Sequence, residues 1–232
     1  AVAMNEIGEG VDYVRNSSLL RNASFALFFV VITYYMLSYS VHTIYTDVYK
    51  DEDKLAAFFG VLVIVTNASA MTMQLLLSNR IINRFGVRRS NYIYPTTTVI
   101  SFALLLVNPS FYAALFASFN REAIMPSIYS PTRQMFFNVL PERMKGRARA
   151  ISVALVMPVA LFICGVLIIV LKQLEGLEPV ALAGVICALL FLYYSWKMGK
   201  DYVVTLIASM REKLYLPKSR DVIYRDSGKD VI

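Results

Sequence analysis

Five stretches of this chain run for at least 18 residues without an Asp, Glu, Lys or Arg: Asn22 to Thr46, Leu55 to Asn79, Ser90 to Asn120, Ala150 to Leu171 and Pro179 to Trp196. A helix needs about 20 apolar residues to cross about 30 Å of hydrocarbon, so these stretches constrain the fold more than any motif does. The third is too long for one crossing, and Asn108-Pro109-Ser110 at its middle is a turn signal. It divides into a third span ending near Val107 and a fourth that starts near Phe111 and continues through Arg121 and Glu122 to about Tyr129. Six membrane spans in an all-α chain are the result. Composition agrees: 57% of the 232 residues are hydrophobic and 17% charged, against about 45–50% and about 25% in soluble chains.

Loop charges orient the spans. The connections after spans two and four carry Arg80, Arg84, Arg88, Arg89, Arg133, Arg143, Lys145, Arg147 and Arg149, whereas those after spans one, three and five carry only Lys50, Lys54 and Lys172 among several acids. Basic loops stay in the cytoplasm, so an even number of spans places both ends there, and a bacterial inner membrane is the expected location. The net charge of +7 is then explained by topology, without a nucleic-acid partner. The first residues carry Glu6, Glu9 and Asp12 and lack the basic start of a signal peptide; the chain reads as an internal piece of a longer protein.

Four regions follow. Residues 1–20 form a cytoplasmic or interfacial segment, and residues 21–196 the six-helix bundle. Residues 197–217 form an amphipathic cytoplasmic helix with Val203, Ile207, Met210 and Leu214 on its buried side and Pro217 at its stop; residues 218–232 are a polar tail or linker. The stripe of that helix needs cover from headgroups, the bundle or a cytoplasmic partner domain. Spans five and six are almost wholly apolar and read as outer, lipid-facing helices.

Enzyme signatures are scarce: one histidine, two cysteines inside apolar runs, and no metal-ligand, phosphate-loop or nucleophile motif. No catalytic activity, cofactor or metal is expected, and the sequons at Asn16, Asn22 and Asn67 should stay unglycosylated. Chemistry concentrates instead at Arg121 and Glu122. Ten residues into span four, at about 1.5 Å per residue, they lie near mid-bilayer, where ionisable groups face protein or a water-filled cavity and usually mark a solute or ion path. A structural ion pair between helices is the competing reading. Neighbours on a helix point about 100° apart and pair poorly, so each wants a partner from another helix or from a ligand. Pro126 should bend the helix just below them.

Two other helices offer polar faces toward the same place. Span one carries Tyr34, Ser38 and His42 four residues apart, with Tyr35, Tyr39, Thr43 and Tyr45 beside them. Span two carries Asn67, Met71, Gln74 and Ser78 on one face; interhelical hydrogen bonding accounts for that face as readily as a solute path does. His42 reads first as a hydrogen-bonded packing residue.

Two segments resemble known transporters. Asn83-Arg84-Phe85-Gly86-Val87-Arg88-Arg89 is similar to the D-R-x-G-R-R loop between the second and third helices of each half of major facilitator transporters, with Asn83 in place of the Asp. That resemblance implies a cytoplasmic latch formed by Asn83, Arg84, Gly86, Arg88 and Arg89. Ser127-Ile128-Tyr129-Ser130-Pro131-Thr132-Arg133-Gln134-Met135, followed by Leu140-Pro141-Glu142 and Lys145-Gly146-Arg147-Ala148, resembles the segment after the tenth helix in the nucleotide (ATP/ADP antiporter) carriers and their bacterial major-facilitator-like relatives. Ser130, Arg133 and Gln134 replace the Asp, Lys and Glu of that family's run, so only Arg133 carries over as an anion contact. Together the resemblances imply the C-terminal six-helix half of such a transporter over about residues 20–196, completed by a second six-helix half from the same precursor or another subunit. It would move a polar, anionic or nucleotide-like solute by alternating access. Arg121, Glu122, Tyr34, Tyr35, Ser38, Asn67, Gln74 and Arg133 are the candidate solute contacts. The alternative is a non-transporting subunit that keeps the fold and docks a partner within a larger membrane complex.

Overall fold

A computed structural model describes residues 17–138, 152–174 and 176–226, with the single positions Gly146 and Ala150; the side chains of 137, 152, 209 and 212–226 are outside the description. The Leu140-Pro141-Glu142 turn, the basic positions Arg143, Lys145, Arg147 and Arg149, and most of residues 1–20 lie outside the described residues.

The described chain is helical. Helix α1 is Ser18–Val48 and α2 is Glu52–Ser90. Helix α3 is Ile93–Val107. Helix α4 joins Phe111–Phe119, Asn120–Tyr129 and Ser130–Asn138; α5 joins Ser152–Val156 and Met157–Lys172; α6 is Glu178–Asp226. Side chains set the starts. Ser17 accepts the Leu20 N–H before α1, Asp51 accepts those of Asp53 and Lys54 before α2, and Ser110 accepts that of Ala113 before α4. The turn expected at Asn108-Pro109-Ser110 separates α3 from α4.

Four helices are long and apolar enough to cross a membrane: α1, α2, the Val153–Lys172 stretch of α5, and α6 as far as Ala208. The six expected spans are thus present as six helices, two of which lack that length and apolarity. Helix α3 has 15 residues, about 22 Å, and α4 is interrupted by its charged pair.

Helix α1 is the centre of the bundle, packed against α4, α5 and α6. Some of its hydroxyls are satisfied along the helix: Thr33 donates to the Phe29 carbonyl, Ser40 to that of Met36 and Thr43 to that of Tyr39. Near its C-terminal end Tyr45 is fully buried, shares a 2.9 Å hydrogen bond with Ser118 of α4, and packs among Tyr49, Phe58, Phe59 and Phe111.

Helix α5 fits the lipid-facing expectation, since Ala160 and Cys164 are its only buried residues among those described. Helix α6 does not fit it. Ala181, Gly184 and Ala188 form a stripe of small residues that lets α6 lie close against α1 and α3, and a Cβ at Gly184 would run into the buried ring of Phe102. An apolar helix can face lipid on one side and protein on the other, and hydropathy alone does not separate the two.

A second correction concerns residues 197–217. They continue α6 without a break, and the helix passes Pro217 to reach Asp226, so neither a separate helix nor a stop at Pro217 is present. Val203, Ile207 and Met210 face away from the bundle, which leaves headgroups or a partner to supply the cover expected for that stripe. The continuous helix inherits its rotation from α6, whose inner face runs through Ser195, Met198 and Tyr202; Tyr202 packs on Phe136, and the neighbouring Asp201 accepts a 2.7 Å hydrogen bond from Asn22. Phase set by the bundle overrides the stripe read locally. Leu214 lies outside the described side chains.

Candidate functional site

The middle of α4 departs from α-helical geometry. Asn120–Tyr129 is a π-helix, and the Ser130 N–H donates to the Met125 carbonyl, five residues back. Pro126 has no N–H to give this stretch, and the Ser127 hydroxyl, donating to the Ala123 carbonyl, serves one of the carbonyls there. The expected bend at Pro126 therefore takes the form of a widened helix, a device frequent at functional sites. Helix α2 widens beside it at Gln74–Ser78, and Ser78 donates to the Ser127 carbonyl between the two. Asn120 clamps the other side: its Oδ1 accepts from Thr97 at 2.6 Å and its Nδ2 donates to Thr98 at 3.1 Å.

The widened turn alters the pairing expected of Arg121 and Glu122. A π-helix advances each residue by a smaller angle than an α-helix, because its hydrogen bond reaches one residue further. The two neighbours meet, with Arg121 Nε 2.7 Å from Glu122 Oε1. That corrects the expectation that adjacent side chains pair poorly. The contact is misaligned as a hydrogen bond, however, and Nε and Nη1 of Arg121 have no acceptor within the described residues. Arg121 is nine-tenths buried, with 10% of its side chain exposed, whereas Glu122 keeps 37%. The guanidinium carbon stands 5.3 Å from the centroid of the Tyr34 ring, within cation–π range.

Two cavities meet at this pair. The larger, about 380 Å³, lies between α1, α4 and α5 toward the end of the bundle that carries the basic connections; Tyr34, Tyr35, Arg121, Glu122, Ser130 and Arg133 supply its polar lining, and Val153 and Met157 close one wall. The smaller, about 110 Å³, lies between α1, α2 and α4 toward the opposite end, with His42, Tyr45, Thr66 and Ser118 beside the same Arg121 and Glu122. The charged pair is the element common to both.

Of the candidate contacts, Arg121, Glu122, Tyr34, Tyr35 and Arg133 are brought together in the larger cavity. Ser38, Asn67 and Gln74 are not. The Ser38 carbonyl contacts His42 Nδ1 at 2.9 Å, while Asn67 and Gln74 lie on the exposed face of α2 beside Ile64 and Met71. Helix α2 turns toward α4 through Leu62, Thr66, Met73 and Ser78, a stripe offset from the polar one because bulky apolar contacts set its rotation. His42 is exposed, stacks on Phe59 at 5.2 Å and borders the smaller cavity. Asn120 is absent from the sequence candidates, although it sits directly before the charged pair, and Ser130 enters them only as the replacement for an Asp in the transporter-like segment.

In the latch segment the helix breaks at Gly86, whose φ of 77° suits glycine. Asn83, Arg84, Arg88 and Arg89 are exposed, and Arg88 donates to the Tyr92 hydroxyl at 3.3 Å. Among the described residues no group of His, Cys, Asp and Glu could hold a metal ion. No family model, curated protein or solved structure matches the chain, so the likeness to major facilitator and nucleotide carriers stands on the two motifs alone.

Proposed function

We propose that this multi-pass membrane protein is one half of a secondary transporter, in which α3 and α4 also cross the membrane and a second six-helix half faces the two cavities. The observation that carries the reading is the position of Arg121 and Glu122 between a larger and a smaller cavity on opposite sides of the same point. A barrier between two compartments that holds a guanidinium with N–H donors unused among the described residues suits binding of an anion at mid-membrane. Tyr34 and Tyr35 give the solute an apolar and hydrogen-bonding wall, and Arg133 a second positive charge. The solute class is a small polar anion, carboxylate or phosphate, with nucleotide-like solutes as members of that class. Ser130, Arg133 and Gln134 do not by themselves single out nucleotides.

The 2.7 Å Arg121–Glu122 contact favours a second reading, a non-transporting subunit in which the pair is structural. Membrane vesicles bearing the protein as the cell makes it, assayed with a panel of radiolabelled carboxylates and phosphates, should accumulate at least one. A panel on which none accumulates above vesicles lacking the protein turns the reading to the docking subunit.

Orientation is tested separately. In a background with Cys164 and Cys187 replaced by alanine, a cysteine at Asp51 should react with an impermeant thiol reagent added outside, and one at Arg88 only after permeabilisation. The reverse pattern overturns the cytoplasmic placement of both ends, and the direction in which the larger cavity opens.

A further inference from the structure

An open apolar groove of about 460 Å³ runs between α3 and α6, away from the Arg121 cavities, and is lined by Tyr92, Thr96, Leu189, Leu192, Tyr193 and Trp196. Three cations each contact one of its lining residues. Lys197 Nζ stands 4.8 Å from the centroid of the Tyr193 ring and Lys200 Nζ 3.5 Å from that of Trp196, so two of the lining rings each carry an ammonium group. Arg88 donates to the hydroxyl of Tyr92, a third lining residue, at 3.3 Å. Gly199 permits this assembly, because a Cβ there would stand 2.8 Å from the Tyr92 hydroxyl and 3.1 Å from Cγ of Arg88. None of the three cations has an ion pair among the described residues. The nearest acid in sequence, Asp201, is engaged by Asn22 on the other side of α6.

We propose that this groove is a binding site for an anionic phospholipid of the leaflet on the basic side of the protein, its phosphate held by Arg88, Lys197 and Lys200 and an acyl chain lying along Leu189, Leu192 and the face of Trp196. Charge complementarity selects the occupant. An apolar groove open to the hydrocarbon takes an acyl chain, and three cations without an ion pair among the described residues favour a net negative headgroup over a zwitterionic one; basic pockets between membrane helices on this side hold such headgroups. A soluble anion would meet the cations but leave the groove unfilled. The aromatic rings keep the ammonium groups at headgroup level, where amphipathic rings and long basic side chains settle.

Trp196 is the only tryptophan in the chain, which makes its fluorescence a direct reporter. The full-length protein is reconstituted in phosphatidylcholine containing a low mole fraction of phosphatidylglycerol with brominated chains, and in the converse mixture where phosphatidylcholine carries the bromine. Brominated phosphatidylglycerol should quench Trp196 with a relative association constant at least about fivefold larger, the worth of one basic residue at a charged membrane surface, and R88Q/K197Q/K200Q should equalise the two lipids. Equal quenching in the native protein means ordinary annular contact and overturns the proposal. So does quenching by neither lipid, or a preference that survives the triple substitution. Relief by inorganic phosphate, beyond that by chloride at the same ionic strength, assigns the cations to a soluble anion and overturns it as well. The measurement on the native protein decides the matter even if the triple variant fails to fold.

Discussion

Arg121→Ala should remove anion uptake while leaving the protein inserted and folded. The two readings of the charged pair differ on this point by a large margin. Truncating one member of a buried structural ion pair costs about 3–5 kcal/mol, because the other charge is stranded in a low-dielectric interior. Glu122 is not stranded in that sense: 37% of its side chain is exposed, and it borders both cavities, so it can be hydrated. Loss of Arg121 should therefore change stability by about 1 kcal/mol or less. Solute binding should suffer far more, since hydrogen bonds to a charged group contribute about 1.5–3 kcal/mol, which is about 10- to 150-fold in affinity. The check is uptake in vesicles alongside membrane insertion and thermal stability of the same variant. Unchanged uptake takes Arg121 out of the solute path, and collapse of folded protein marks the pair as structural.

The second large effect is mechanical. Phe102 of α3 is fully buried and its ring occupies the space that a side chain at Gly184 of α6 would need. Phe102→Ala should lose about 3 kcal/mol through the cavity it leaves, or about 6–12 °C in Tm for a chain of this size. Gly184→Leu should cost a similar amount by forcing α3 and α6 apart, at the upper end of about 1–3 kcal/mol for overpacking. Combined, the two changes should be less damaging than their sum by at least about 1 kcal/mol, since the leucine enters the vacated ring position. Cys164, buried beneath α1 with its thiol facing the Ile32 carbonyl, reports unfolding through a thiol-reactive dye. Strict additivity would show that α3 and α6 do not meet at this point.

Much of the architecture was legible because it follows from desolvation. Charge-free stretches located the helices, and Asn108-Pro109-Ser110 marked its turn because a proline and two capping residues cannot sit comfortably inside one apolar helix. Arg121 and Glu122 stood out because a charge deep in an apolar stretch is costly wherever it occurs. Three features were hidden, each for a physical reason. The widened turns at Gln74–Ser78 and Asn120–Tyr129 shift the residue period locally, so a face reckoned at 3.6 residues per turn drifts; this is why Arg121 meets Glu122. The rotation of α2 is set by Leu62, Thr66 and Met73 packing on its neighbours, which turns Asn67 and Gln74 outward. The phase of α6 beyond Trp196 is inherited from Gly184, Ala188 and Ser195 far up the same helix, so the apolar stripe through Val203, Ile207 and Met210 faces away from the bundle.

If Arg121 governs a water-filled, anion-selective cavity, a cysteine at Ser130 should register its charge. Ser130 lines the larger cavity with Arg121, and nothing about the transported solute needs to be known. In a background without Cys164 and Cys187, an anionic methanethiosulfonate reagent should modify Ser130→Cys from the side of the basic connections and not from the other. Adding Arg121→Ala should slow that reaction about tenfold relative to a cationic reagent of the same size: unit charges about 10 Å apart at an effective dielectric near 20 interact by roughly 1.7 kcal/mol, less the screening by salt. No modification from either side would mean that side chains seal the site, and a rate indifferent to Arg121 would mean that its charge is not presented to the cavity; either result removes Arg121 from a solute path.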